Sequence, residues 1–396
     1  MKNFLTFICL TAAAAVFAVD LHRQDPAVYW DQDLLSVKPT WRQAPFSESQ
    51  AKGLQAILIN GYGPAKGDKN FYSNQPDPLS TKVRAEFFAY MGFPEGPVPE
   101  GGFPGVVLIH GGGGTAFPQY AQRWIAQGYA VIILDWYNCR PIPPENATES
   151  NVQRTPLEGG KRQDHVANVA NMILAHTVLR SQPDVNPEKT IFVGLSWGSW
   201  YGAMVAAIDT RFKAGIQIYC GDIKDNDSFI NGRFHHAIKV PLYWIVGTND
   251  QNMKLSGISK AFKVCPTVYN RSIVIGLLHS HMGFDFICCQ RMAAHFLKGG
   301  PNLPRLGDIQ VKDGVAFAKI LDPGKGIKVG FLCYTDSTDP VYHKRKWKIL
   351  RADITGDLIS AKIPAGAHTY YLSAHDEYSR FNTLCGSTDV VVLENK

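Results

Sequence analysis

From Leu54 to about Leu297 the chain alternates between short apolar runs and longer stretches in which apolar residues recur every three to five positions. The runs are Ala56–Ile59, Val83–Tyr90, Val106–Ile109, Ala130–Leu134, Thr190–Val193, Ala214–Tyr219, Pro241–Val246 and Ser272–Ile275. Helical spacing fills Tyr120–Gln127, Asp164–Leu179 (through Val166, Val169, Ile173 and Val178), Trp197–Ile208 and Phe284–Leu297. Short continuous apolar strands between helices predict a parallel sheet covered on both faces. Ligands of such sheets bind beyond the carboxyl ends of the strands.

The pattern differs on either side of this region. Residues 19–52 are polar and aromatic with little periodicity, and read as an arm of the α/β domain, 19–300. After Gly299-Gly300-Pro301 the strands lose their intervening helices. Val311–Phe317, Ile327–Cys333, Trp347–Ala352, Leu358–Ile363, Thr369–Leu372 and Val390–Leu393 are strand candidates, with turn signals such as Asp322-Pro323-Gly324 and Pro364-Ala365-Gly366 between them. That spacing predicts a small antiparallel β-sandwich over 305–396. At the other end, Lys2, the apolar stretch Phe4–Phe17 and the small residue Ala18 have the anatomy of a signal peptide, 1–18, and imply a secreted or periplasmic protein. No other apolar run is long enough to predict a stable membrane span.

Composition narrows the function classes. Hydrophobic residues at 45% and charged residues at 19% are globular values, with ample material for a core. Forty basic and 34 acidic residues are interspersed, so the net charge of +6 forms no basic tract and gives no support to nucleic-acid binding. Eight cysteines become seven after cleavage, so at least one thiol stays outside any intrachain pairing. Cys333 with Cys385, and Cys139 with Cys220, are pairs whose members fall near one another in this reading. No His or Cys cluster has zinc spacing, and no metal or organic cofactor is implied.

The chemistry concentrates at predicted strand ends. Gly194-Leu195-Ser196-Trp197-Gly198 lies between a strand and a helix, where a serine on a strained turn presents its hydroxyl and glycines allow close backbone packing. Serine is a weak nucleophile and needs a neighbouring base. His110-Gly111-Gly112-Gly113-Gly114 closes an earlier strand, and glycine amides can approach an oxyanion without a side chain between. Gly112 and Trp197 are the expected donors, with Gly113 as the substitute for Gly112. A phosphate-cradling loop is disfavoured because no Lys-Ser/Thr pair follows. The acid is expected at Asp250, after the strand Pro241–Val246, ahead of Asp222 and Asp225. The base is expected in His279-Ser280-His281, and His281, nearer the following helix, is favoured.

These segments resemble bacterial secreted hydrolases of the acetyl xylan esterase-like and dienelactone hydrolase-like type. The likeness rests on Val107-Leu108-Ile109-His110 with its glycines, the nucleophile turn at 194–198, Asp209-Thr210-Arg211-Phe212-Lys213, Trp244-Ile245-Val246-Gly247-Thr248-Asn249-Asp250, and His279-Ser280-His281. It covers about 54–300. Prolyl-oligopeptidase-type enzymes share the core and a late histidine loop. The resemblance implies an α/β-hydrolase fold with an appended β-sandwich, and a serine hydrolase with the triad Ser196, Asp250 and His281. The substrate class it implies is a small-molecule or polysaccharide carboxylic ester, with acetyl groups as one option. Trp136, Tyr137, Trp197, Trp200 and Tyr201 are aromatic candidates for stacking on sugar, core packing being the stronger reading for Trp200 and Tyr201. A serine peptidase and a non-catalytic carbohydrate-binding protein are the rival classes.

Overall fold

Nine of the strands assemble into one sheet in the computed structural model, which describes residues 23–45, 47, 49–64, 74–137, 139–142, 153–156, 164–219, 221–379 and 381–393. The signal segment read at 1–18, and Cys220, lie outside them. The strands are β1 (Trp41–Gln43), β2 (Gln55–Gly63), β3 (Val83–Gly92), β4 (Phe103–Ile109), β5 (Ala130–Leu134), β8 (Val185–Leu195), β9 (Ala214–Ile218), β10 (Leu242–Gly247) and β11 (Val268–Val274). A separate hairpin supplies β6 (Cys139–Ile142) and β7 (Gln153–Pro156). The order is β1-β2-β3-β5-β4-β8-β9-β10-β11, antiparallel as far as β5 and parallel from there to the far edge. This is the mostly parallel sheet of an α/β-hydrolase fold.

Helices α1 (Pro118–Ile125), α2 (His165–Arg180), α3 (Trp197–Ile208), α4 (Leu255–Val264) and α5 (Ile287–Lys298) cover the sheet. Every residue of β4 and β5 is buried, as expected of strands covered on both faces. Helix α2 starts at Asp164, whose carboxylate accepts from the Ala167 amide at 2.8 Å. It is buried almost all round, which the sheet alone does not explain. The N-terminal arm does: Trp30 is 1% exposed and its indole N–H donates to the Val166 carbonyl at 2.9 Å, while Tyr29 and Leu34 are also buried.

Helix α5 ends at Gly299, at φ 69°. Glycine occupies this left-handed position without strain and turns the chain out of the helix. The strands that follow are all antiparallel: β12 (Arg305–Leu306), β13 (Gln310–Lys312), β14 (Val315–Asp322), β15 (Val329–Thr335), β16 (Lys348–Thr355), β17 (Leu358–Lys362), β18 (Thr369–His375), β19 (Cys385–Ser387) and β20 (Val391–Val392). β16 makes the corner of the sandwich, since its first half pairs with β15 and its second half with β17. A small core of Leu306, Ala316, Leu332, Ile359, Leu372 and neighbours fills the space between the layers.

This β-module is fused to the hydrolase region. Cys333, Tyr371, Leu384, Cys385 and Val390 belong to the main hydrophobic core. Arg291 of α5 is buried and its guanidinium clasps Asp376, with Nη1 to Oδ1 at 2.9 Å. Ser387 Oγ accepts from the Ile273 amide at 3.0 Å and thereby touches the edge strand β11. Cys333 and Cys385 are free thiols, as are Cys265, Cys288 and Cys289, and burial pushes the thiols of the first two up to about 12.

Three buried histidines tie stability to pH. Burial lowers His165, His176 and His375 from 6.5 to about 4, so each stays neutral in the native state while the unfolded chain takes up its proton near 6.5. Their contribution is complete above about 6.5 and is lost as pH falls toward 4, on the order of 2 kcal/mol per histidine at pH 5. Urea midpoints measured at pH 7 and pH 5 should therefore fall clearly at the lower pH. Equal midpoints would contradict the burial of these rings.

Candidate active site

Ser196 stands on the turn between β8 and α3 with φ 56° and ψ −114°, a conformation that side-chain-bearing residues seldom adopt. Its neighbours make the turn possible. A Cβ on Gly194 would strike the Gly198 carbonyl, and one on Gly198 would strike the Ile109 carbonyl of β4. The turn is pinned by the Ser196 amide donating to the Ile218 carbonyl at 2.9 Å and by Ser199 Oγ donating to the Ser196 carbonyl at 2.7 Å. Local strain is thus held by its surroundings, and the hydroxyl points off the sheet edge.

The histidine that meets this serine is His279. Its Nε2 lies 2.8 Å from Ser196 Oγ, and its Nδ1 lies 2.7 Å from Asp250 Oδ2. With Nδ1–H donating to Asp250, Nε2 is left to accept the serine proton. Asp250 is 1% exposed, and its second oxygen accepts from the Asn252 and Met253 amides at 2.8 and 3.3 Å. Asp250, favoured over Asp222 and Asp225 in the sequence reading, is thus the carboxylate that meets this imidazole, while Asp222 and Asp225 make other contacts. Asp222 is buried nearby and pushed up to about 6 by that burial, while Asp225 pairs with Lys260 at the surface.

The expectation for His281 is corrected. The argument from extended alternation put both rings on one side and chose the residue nearer the helix. Ser280 is indeed extended, at φ −156°, but it caps a 3-10 turn over His281–Asp285 by accepting from the Met282 amide at 3.2 Å. The chain turns at His281 and the alternation ends there. The His281 ring packs at 4.9 Å from the Phe117 ring, and its Nε2 would clash with a Cβ on Gly114 and crowd one on Gly111. It is a shelf under the glycine loop.

Tyr219, which the sequence reading passed over, positions His279. It follows β9, the strand between those carrying Ser196 and Asp250, and also has a positive φ, 60°. Its ring stacks on the His279 ring at 4.3 Å and 22°. Its hydroxyl donates to the Leu278 carbonyl at 2.5 Å and accepts from the Ser280 amide at 3.2 Å, gripping the backbone on both sides of the histidine. Burial and the nearby Asp250 charge raise the phenol, which stays protonated and able to donate. The readable signal was Tyr219-Cys220-Gly221, an aromatic residue at the carboxyl end of the strand next to the nucleophile strand.

The glycine loop after β4 is braced from β5. Asp135 accepts from Thr115 Oγ1 at 2.6 Å and from the Tyr137 amide at 2.9 Å. Trp136 stacks on His110 at 4.9 Å and donates to its carbonyl at 2.9 Å. The amide of Gly113 donates to the Tyr137 hydroxyl at 3.3 Å, while Gly112 lies against the Trp197 ring, so close that a Cβ there would overlap it. The loop thus brings Gly112 next to Trp197 and engages Gly113 elsewhere. Of the aromatic candidates, Trp136, Tyr137, Trp200 and Tyr201 are buried and only Trp197 is half-exposed. Tyr201 is bonded to His165 and Asn168, and Trp200 carries Lys224 over its ring. Among the described residues no three His, Cys, Asp or Glu side chains converge as metal ligands, and no helix is long and apolar enough to cross a membrane.

Residues 87–267, from within β3 to the residue before β11, match the Dienelactone hydrolase family. No curated protein matches the chain significantly. Similar solved structures include an acetyl xylan esterase from a Paenibacillus species, 14% identical, covering 67% of this chain and 92% of that one at a TM-score of 0.47. A cold-adapted esterase from an Arctic intertidal metagenomic library is 16% identical, covering 60% of this chain and 89% of that one at 0.40. Dipeptidyl peptidase 4 of Porphyromonas gingivalis is 17% identical, covering 54% of this chain and 34% of that one at 0.39.

Two substitutions separate base from shelf. His279→Ala should lower turnover by about four orders of magnitude, and His281→Ala by about tenfold through the loop it supports. The reverse order of effects on kcat would overturn the assignment. Tyr219→Phe keeps the ring and removes the grip on the loop; kcat should fall about tenfold with KM unchanged, whereas a rise in KM alone would deny the positioning role.

Proposed function

Starting from a dienelactone hydrolase family domain, we propose that the protein is a serine hydrolase of carboxylic esters, acting outside the cytoplasm on an acetylated or otherwise esterified saccharide. One observation carries the reading: a strained serine, an imidazole and a buried carboxylate in unbroken hydrogen-bonded order, 2.8 and 2.7 Å apart. The family match supports the hydrolase class. The N-terminal stretch supports export, and the sequence resemblance supports the ester.

The contacts among Ser196, His279 and Asp250 support the following steps. Ser196 Oγ attacks the ester carbonyl carbon and forms a C–O bond while its proton moves to His279 Nε2. The carbonyl π electrons move onto oxygen, and backbone amides at Gly112 and Trp197 stabilise that charge. Asp250 holds the tautomer and stabilises the imidazolium, and stacking on Tyr219 adds a cation–π contribution. When the carbonyl re-forms, the bond to the alcohol oxygen breaks and the proton on Nε2 goes to the departing alkoxide. Water then gives its proton to His279, attacks the acyl-serine and releases the acid, and the proton returns to Ser196.

A fluorophosphonate probe should label the wild type and fail to label Ser196→Ala of equal thermal stability. Turnover of a p-nitrophenyl acetate panel should exceed that of matched peptidyl amides by several orders of magnitude. A preference for amides would replace the esterase by the peptidase.

A further inference from the structure

A cavity of about 370 Å³ opens where the β-module meets the turn that carries Asp250. One wall is the start of α4, with Lys254 and Ser256. The other is the module, with Tyr342, Arg345, Trp347 and His368. Three basic side chains and two aromatic rings share this lining, and among the described residues no carboxylate is part of it.

Among the described residues each nearby acid has a partner of its own. Asp336 pairs with Lys348 at 2.6 Å, and Asp339 accepts from the Val341 amide at 2.8 Å. Behind Tyr342, Asp250 is bound to His279, and Asp222 accepts from the Lys254 amide at 3.4 Å. Arg345 is anchored through Nε to the Asp339 carbonyl at 2.9 Å, and among the described residues no carboxylate pairs with Arg345 or Lys254. The loop bearing Tyr342 and Arg345 is itself held in place. Asn249, next to Asp250, donates to the His343 and Arg345 carbonyls at 2.8 and 2.9 Å. The cavity is therefore built by fixed elements of both parts of the chain.

We propose that this cavity is a binding site for an acidic saccharide, with a uronic-acid carboxylate received by Arg345, Lys254 and His368 and the sugar ring lying against Trp347 and Tyr342. Guanidinium and ammonium groups pair strongly with a carboxylate. An aromatic face takes the apolar C–H side of a pyranose while hydroxyls such as Ser256 take its polar edge. The volume lies at the small end of ligand sites, roughly 300–1,000 Å³, which suits a sugar ring better than a long peptide. Neither Ser196 nor His279 is part of its lining, so the proposal does not rest on the esterase reading.

The test uses the full chain carrying Ser196→Ala, which removes turnover. Trigalacturonate, the neutral galactose trisaccharide, a tri-glutamate peptide and inorganic sulfate are titrated by calorimetry, with tryptophan fluorescence as a second readout. Trigalacturonate should bind, more weakly as salt rises, and Arg345→Gln and Lys254→Gln should each lower its affinity about tenfold without shifting the thermal midpoint. Trp347→Phe should remove most of the fluorescence change. The proposal falls if trigalacturonate does not bind, if the neutral sugar, peptide or sulfate binds as tightly, or if neither charge variant weakens binding. A protein that labels with fluorophosphonate yet ignores trigalacturonate would lose this site and keep the esterase. One that binds trigalacturonate yet resists the probe would lose the esterase and keep the site.

Discussion

The site is governed by a spanning problem. Ser196 and Asp250 leave the sheet from β8 and β10, with β9 between them, and strands lie about 4.8 Å apart. Two strand spacings are too far for direct contact, so an imidazole has to lie across the end of β9. The chain supplies that ring from β11, one strand farther out, on a loop that must run back toward the middle. Such a loop needs a support where it crosses, and Tyr219 at the end of β9 provides it under the ring and along the backbone. The two adjacent strand ends each carry a non-glycine residue at positive φ, Ser196 and Tyr219. Strain is thus spent where the relay is assembled.

The succession of strands along the chain, and the places of Ser196 and Asp250 at strand ends, were legible because they depend on local patterns. A continuous apolar run ending in Gly-Leu-Ser-Trp-Gly or in Gly-Thr-Asn-Asp carries both its place at a strand end and its chemistry. The choice between His279 and His281 depended on where extended chain gives way to a turn. That was decided by one hydrogen bond from the Met282 amide to Ser280. Helix α4 was also missed, although Leu255, Ile258, Ala261 and Phe262 have helical spacing, because it is short and contains Gly257. In the β-module, the run read as Val311–Phe317 is broken at Asp313-Gly314, both at positive φ, into two strands of a hairpin. Turn chemistry won over apolar continuity there.

A second constellation shows why order alone is not function. Thr190 Oγ1, His176 and Asp209 follow the same sequence of contacts, each 2.8 Å, and the imidazole lies flat on Phe212 at 3.5 Å. All three polar residues are fully buried, and Arg211 holds the carboxylate. Burial keeps the ring neutral, and no substrate can reach the hydroxyl. This network ties α2, β8 and the end of α3 together at the far end of the sheet. The relay at Ser196 differs in access: His279 keeps 19% of its side chain exposed, and Leu278 and Met282 beside it are exposed as well.

The buried clasp between Arg291 and Asp376 has a consequence for how this chain can change over time. Breaking a buried pair by removing one partner is strongly destabilising, because a charge is left without compensation. The two regions also share a core, through Cys333, Tyr371 and Cys385. A lineage carrying this protein therefore could not discard or exchange its β-module as it would a tethered accessory domain. Recombination at Gly299–Pro301 would have to bring along matched partners for α5 and β11, so the two parts are inherited, and drift, as one unit.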